Sequence, residues 1–355
     1  MLIIKEYSKK QYLNKGTRWF ILIFFIIVAF FVDLSVGSVH IPFMEVLNTL
    51  FGTPANSVNE QIIWYIRLPK AITAILAGAA MSVSGLQMQT LFRNPLAGPS
   101  VLGITSGASL GVGAVMLLSG GSVGLAAIQK VGISGAWLVI GASIAGSGAI
   151  MLLLLMIASR LRDNIVLLVV GMMLGNLTIA LVSVWQYLSE PERIQDYLMW
   201  TFGSIGGVTS EQLPFLAGSI ALGLLLALWM ANSMNVMLLG ERYAGSMGVK
   251  VKQLRAGMIL SSSLLAGAVT GFCGPIGFVG IAVPHLSREW TSEGNHKVLL
   301  PSVILIGATV LLCCDILAQW AGDGMALPIN VVTALIGSPV VVWVIVRGNK
   351  IKRAF

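Results

Sequence analysis

The chain has 355 residues, of which 56% are apolar and only 10% charged; an ordinary soluble chain carries roughly a quarter charged residues, so a soluble globular protein is excluded. A net charge of +8 would raise nucleic acid as a partner in a soluble protein, but here the charges sit where a membrane topology needs them. Cys273, Cys313 and Cys314 lie in or beside apolar stretches with neither metal-ligand nor disulfide spacing and read as small buried hydrophobes.

A bilayer crossing takes roughly 20 mainly apolar residues, because each backbone polar group must find its partner within the segment. Ten segments qualify, some of them short: 18–36, 68–92, 99–118, 134–158, 164–188, 211–231, 253–271, 275–287, 298–319 and 328–346. The expected fold is all-α and polytopic, one membrane domain over 1–355 with a basic arm at 1–17 and a basic tail at 347–355. The arm runs into a full-length span without a small-x-small cleavage site, so the first helix is expected to be retained. Pro69 and Pro328 stand at the starts of the second and tenth spans, where proline costs a helix little. The eighth is too short to cross alone and follows Gly274, Pro275 and Gly277, which predict a helix break and a half-helix. Broken backbone at membrane depth is tolerated where protein or a water-filled cavity surrounds it, and a pathway lining is the functional form of that.

Ten crossings put both termini on one side, and the positive-inside rule then tests the map. Eighteen Lys and Arg fall on that side, including the arm from Lys5 to Arg18, Arg93, Arg160, Arg162, Arg242 to Arg255, Arg288, Lys297 and the tail. Four, Arg67, Lys70, Lys130 and Arg193, fall on the other. Both termini are therefore expected in the cytoplasm. The outer loops are short except 37–66 and 189–210, neither long enough for a separate domain, so capture of an outside ligand falls to another protein.

Three segments carry more polar and small residues than spans require. The first runs from Arg67-Leu68-Pro69-Lys70 through Gly78, Gly85, Gln87 and Gln89 to Arg93-Asn94-Pro95 and Gly103-Ile104-Thr105-Ser106-Gly107-Ala108. Its glycines taken singly fit close helix packing. Gln87, Gln89, Thr105, Ser106 and Asn176 are candidates for a translocation path, and each equally for bonds between helices. The second, 235–249, reads as a short amphipathic helix ended by Gly248, either lying on the membrane surface or docking a cytoplasmic partner. The third is Gly274 to Arg288, followed by Asn295-His296-Lys297.

These segments resemble the FecCD-type permeases, membrane subunits of bacterial ABC importers for iron-siderophores, haem and vitamin B12. The resemblance rests on RLPK, RNPLAGPSVLGITSGASLG, LLGERYAGSMGV, GPIGFVGIAVPHLSR and LPINVVTALIGSPV, in order over nearly the whole chain. It implies a type II ABC importer permease in the inner membrane: a homodimer of ten-helix subunits with the path between them, two cytoplasmic ATPase subunits and an external binding protein. It gives the 235–249 loop the role of coupling helices, with Leu239, Gly240, Glu241, Arg242, Tyr243, Ala244, Met247 and Gly248 at the ATPase. It gives Arg67 and Lys70 the role of sockets for acidic residues of the binding protein, lysine keeping the charge but losing arginine's bidentate fork. The family often has another arginine after D-x-x-A in the ninth helix; here Gln319 takes that place, and Ala326 replaces a common acidic residue, so docking there is expected to be weaker or rearranged.

The chain contains no Gly-Lys dipeptide and hence no P-loop; it is expected to be no enzyme and to bind no cofactor, with ATP and Mg used by a partner subunit. An ion-coupled secondary transporter is the alternative, but such carriers place ionisable groups at mid-depth, and the acidic residues within the spans, Asp33 and Asp315, lie near helix ends. Asp315 is either a proton site or, more simply, a bond between helices. A membrane scaffold would need neither the break at 274–277 nor a docking loop. His285 and His296 lack further ligands at metal spacing, and His285 is expected at the C-terminal end of a half-helix. Among chelates, siderophore, haem and cobalamin stay open.

Overall fold

The computed structural model describes residues 15–52, 57–118, 135–161, 163–321 and 326–347. Most of the basic arm, Lys130, Arg162 and the tail from 348 lie outside them.

All regular structure among the described residues is helical. In chain order the helices are α1 (Lys15–Ser35), α2 (Phe43–Leu50), α3 (Ser57–Ile62), α4 (Leu68–Phe92), α5 (Ile104–Gly113), α6 (Gly135–Arg160), α7 (Asn164–Tyr187), α8 (Pro191–Thr201), α9 (Leu213–Trp229), α10 (Ala231–Leu238), α11 (Glu241–Ser246), α12 (Val251–Cys273), α13 (Val279–Thr291), α14 (His296–Trp320) and α15 (Ile329–Arg347). Six stretches are long and apolar enough to cross a membrane alone: Gly16–Ser35, Val58–Phe92, Gly135–Arg160, Asn164–Tyr187, Val251–Cys273 and His296–Trp320. A seventh arises if α9 and α10, bent by 53°, are joined. The expected spans at 99–118, 275–287 and 328–346 are met by shorter helices, so length and hydropathy of the helices do not by themselves reproduce a count of ten.

Three local structures depart from the sequence reading. The second span does not begin at Leu68: it continues back through a π-turn, Ile63–Arg67, into α3. Pro69 has no N–H to give, and the wider turn, closed by Leu68 N–H to Ile63 O, lets the helix pass this point unbroken. The 235–249 loop is two short helices, because Gly240 takes φ +119°, a conformation open to glycine and closed to L side chains. And α13 runs on to Thr291, so His285 stands mid-helix and gains nothing from a helix C-terminus.

α4 is the axis of the packing, buried without interruption from Ala77 to Phe92. Helices in lipid are not driven together by hydrophobicity and need close contact and hydrogen bonds instead. α4 has both. A Cβ on Gly78 would stand 2.2 Å from the Gly307 carbonyl of α14, and one on Gly85 1.8 Å from the Gly280 carbonyl of α13. Ser84 Oγ bonds Ser262 Oγ at 2.5 Å, Gln87 Nε2 donates to Ser261 Oγ at 3.0 Å, and Ser261 Oγ donates to the Gly223 carbonyl at 2.8 Å, joining α4, α12 and α9. α5 and α6 meet in the same way, Gly111 against Ala142 and Gly146 against Gly107. By contrast α1, α6, α7 and α9 expose apolar side chains such as Phe24, Met156, Leu177 and Leu225, as helices facing lipid or a second copy do.

Candidate functional site

The polar residues gather at two opposite ends of the bundle. At one end, where α4, α6, α12 and α14 begin or finish beside Arg93, Arg160, Lys250, Arg255 and Lys297, the helix pair α10–α11 packs across the helix termini. Ala244 is fully buried and holds α11 down, while Leu239, Tyr243 and Met247 are 64%, 55% and 57% exposed. Arg242 is exposed beside them and Gly248, at φ +84°, turns the chain into α12. Three large apolar side chains in a charged loop are costly to leave in water, and such a patch marks an interaction surface.

Glu241 differs from its neighbours. Its carboxylate accepts from Asn164 Nδ2 at 2.5 Å and pairs with Arg255 Nη2 at 3.0 Å. On α10, Arg93 Nη2 donates to the Met237 carbonyl at 2.9 Å, and Gly240 leaves room for that guanidinium. Asn235 Oδ1 accepts from His296 N at 2.7 Å and faces His296 Nδ1 at 2.8 Å, while His296 Nε2 lies 2.9 Å from Thr90 Oγ1. Of these, Asn164 was not singled out in the sequence; Arg255 was counted only as a basic residue of this side, and Asn235 and His296 only as members of polar segments.

At the other end Arg67, Lys70, Asp315, Gln319 and Ala326 line a cavity of about 460 Å³, closed by Gly203 to Gly206 and Leu327 to Ile329. The groups that resembled docking sockets are engaged within the subunit. Arg67 is 6% exposed and donates to the carbonyls of Leu34, at 2.6 Å, and Val39, fastening the turn between α1 and α2. Lys70 Nζ lies 2.8 Å from Asp315 Oδ2. Gln319 Nε2 donates to both Asp33 Oδ1 at 3.0 Å and Asp315 Oδ2 at 3.1 Å, so the amide joins two carboxylates. Asp315 thus bonds between helices.

Near this cavity the chain turns back. Gly274 has φ +74°, and a Cβ there would stand 2.7 Å from the Trp200 carbonyl; the Gly277 N–H is taken by Asn330 Oδ1 at 2.9 Å. The break at Gly274, Pro275 and Gly277 is therefore packed by protein, from the end of α8 and the start of α15.

The path candidates separate. Gln87 and Gln89 have no exposure: Gln87 bonds Ser261, and Gln89 Oε1 accepts from Arg288 Nη1 at 2.7 Å. Both are bonds between helices inside one subunit, the second of the two roles that the sequence left open for them. Thr105 and Ser106 are half-buried, with Ser106 Oγ beside Gly175 of α7, and Asn176 is exposed on α7. His285 Nε2 pairs with the Pro95 carbonyl at 2.8 Å. Among the described residues no three His, Cys, Asp or Glu come together as a metal site would need.

A bundle with six helices of membrane-spanning length, charged side chains toward its ends and an exposed apolar helix pair at the basic one has the features of a polytopic membrane subunit. Known proteins agree. The pattern of the FecCD transport family matches residues 25–347. The hemin transport system permease protein HmuU of Yersinia pestis is 34% identical over 318 residues, 89% of this chain and 92% of that protein. The vitamin B12 import system permease protein BtuC of Klebsiella pneumoniae is 32% identical over 95% of this chain and 96% of its own. Among solved structures, an inward-facing metal-chelate type ABC transporter superposes with a TM-score of 0.80 at 30% identity, covering 92% of this chain and 99% of that one. PsaBC of Streptococcus pneumoniae, at a TM-score of 0.51 and 15% identity, shares the fold alone. The chain belongs to the FecCD transport family and is a membrane permease subunit of the ABC importer class. The ion-coupled carrier finds no support in these likenesses.

Proposed function

We propose that two copies of this chain enclose a path through the bacterial inner membrane for a large metal chelate, an iron-siderophore or a related haem or cobalamin. Transport is powered by two cytoplasmic ATPase subunits, which use ATP and Mg and dock on α10–α11, and an external binding protein delivers the cargo. Both termini face the cytoplasm. The observation that carries this reading is the exposed Leu239, Arg242, Tyr243 and Met247 on a helix pair fastened to the basic end of the bundle, the end that the positive-inside rule puts in the cytoplasm. Support for the cargo class comes from relatives that carry hemin and vitamin B12 and from a metal-chelate neighbour.

The binding protein docks over Arg67, Lys70 and Gln319, where Arg67 and Lys70 already hold partners inside the subunit. They serve there as the floor on which a bound protein rests, and Gln319 keeps that floor free of a further cation. The test is uptake into proteoliposomes holding this chain with its ATPase and binding protein, with siderophore, haem and cobalamin offered in turn. ATP-dependent uptake of one of them is expected; uptake driven by an ion gradient without the ATPase would overturn the reading.

A further inference from the structure

Glu241 belongs by position to the docking surface, yet its carboxylate turns inward. Arg255 Nη2 lies 3.0 Å from Oε1 and 3.2 Å from Oε2. Arg255 is 3% exposed and gives Nη1 to the Leu161 carbonyl at 2.8 Å, just past the end of α6. Asn164, the first residue of α7, donates to Glu241 Oε1 and also to the Leu91 carbonyl at 2.8 Å, at the end of α4. One carboxylate on α11 therefore gathers the basic-end termini of α4, α6, α7 and α12. Arg242, next in sequence, is exposed.

A carboxylate needed only for a partner would be left hydrated. This one is held by charge-assisted hydrogen bonds, which are short and directional, and it answers a guanidinium that burial leaves dependent on a counter-charge. The remaining links on α10, Arg93 to Met237 and Asn235 to His296, tie the same pair of helices to α4 and α14. A docking element joined at so many points to the membrane helices cannot be displaced without carrying their ends with it.

We infer that Glu241 is a positioning residue: with Arg255 and Asn164 it latches α11 to the ends of α4, α6, α7 and α12, so that movement of a docked ATPase reaches the membrane helices. Contact with the ATPase falls to Leu239, Arg242, Tyr243 and Met247. The inference rests on the docking role of α10–α11, and its test separates the two.

Hydrogen exchange on the permease alone reads the latch without any ATPase. In Glu241→Gln, exchange over 241–248 is expected to speed up by roughly tenfold or more, the loss of a hydrogen bond to a charged group. In the assembled importer the same variant is expected to retain the ATPase subunit on affinity purification but to move several-fold less substrate per ATP. A Glu241→Arg, Arg255→Glu double exchange should regain part of that ratio, which a merely structural loss would not. Asn164→Ala, which removes a neutral donor and leaves the Arg255–Glu241 pair in place, carries the exchange test if Glu241→Gln folds poorly. Unchanged exchange in both variants would overturn the latch, as would loss of the ATPase from Glu241→Gln as complete as from Arg242→Glu with exchange unaltered. Full retention of the ATPase by Arg242→Glu and Tyr243→Ala would instead overturn the docking reading, with the exchange rates still deciding the latch.

Discussion

Each end of the bundle holds a cation paired with a carboxylate, and the two pairs differ in what they fasten. Lys70 and Asp315 lie between α4 and α14, beside Asp33 of α1, with side chains 13% and 5% exposed. Arg255 is as deeply buried at 4%, but its partner Glu241 is 28% exposed and sits on a short helix outside the bundle. One pair is part of the packing; the other holds a short outer helix to it. A buried ion pair is poor evidence of net stability, whereas removing one partner is costly in proportion to how little water can reach the other.

That contrast sets an order of effects. Lys70→Met takes the paired cation from the buried Asp315 and is expected to cost the most, about 3–5 kcal/mol, read as a loss of thermal stability in detergent. Adding Asp315→Leu should return much of it, since partners in contact are not additive. Arg255→Met leaves Glu241 with access to water, so the expected cost is smaller, about 1–3 kcal/mol, concentrated in exchange over 241–248. Tyr243→Ala should leave stability within about 0.5 kcal/mol and weaken ATPase binding by about 2 kcal/mol, the scale of an interface anchor, measured by titration with the purified ATPase. Gln319→Arg should change stability by no more than about 1 kcal/mol and strengthen binding of an acidic binding protein; an unchanged affinity would remove the socket role from that position.

Six of the expected spans, and a seventh if α9 and α10 are joined, were legible because hydropathy over twenty residues reports a bilayer and little else does. The polar brackets were not. Gln87 and Gln89 carry the same amide whether they line a path or bond a neighbour, and only the approach of Ser261 and Arg288, more than 170 positions away in the chain, decides it. The same holds for Glu241 and Arg242: adjacent and oppositely charged, they read as one docking pair until Asn164 and Arg255 claim the first. Arg67, given a socket role by resemblance, donates to the carbonyls of Leu34 and Val39, 33 and 28 positions back in its own chain, which no local pattern announces. The division of 235–249 into two helices was within reach of the sequence, because Gly240 is the residue type that permits the turn, but propensity alone does not say that the turn is used.

The glycine crossings of α4 have a mechanical meaning. At Gly78 and Gly85 the helix backbone rests on the carbonyls of Gly307 and Gly280 with no side chain between. Backbones in such contact cannot slip lengthwise by a residue, since the next position brings a side chain into a space that holds none. They can still tilt. α4 is therefore pinned lengthwise at two points, once to α14 and once to α13.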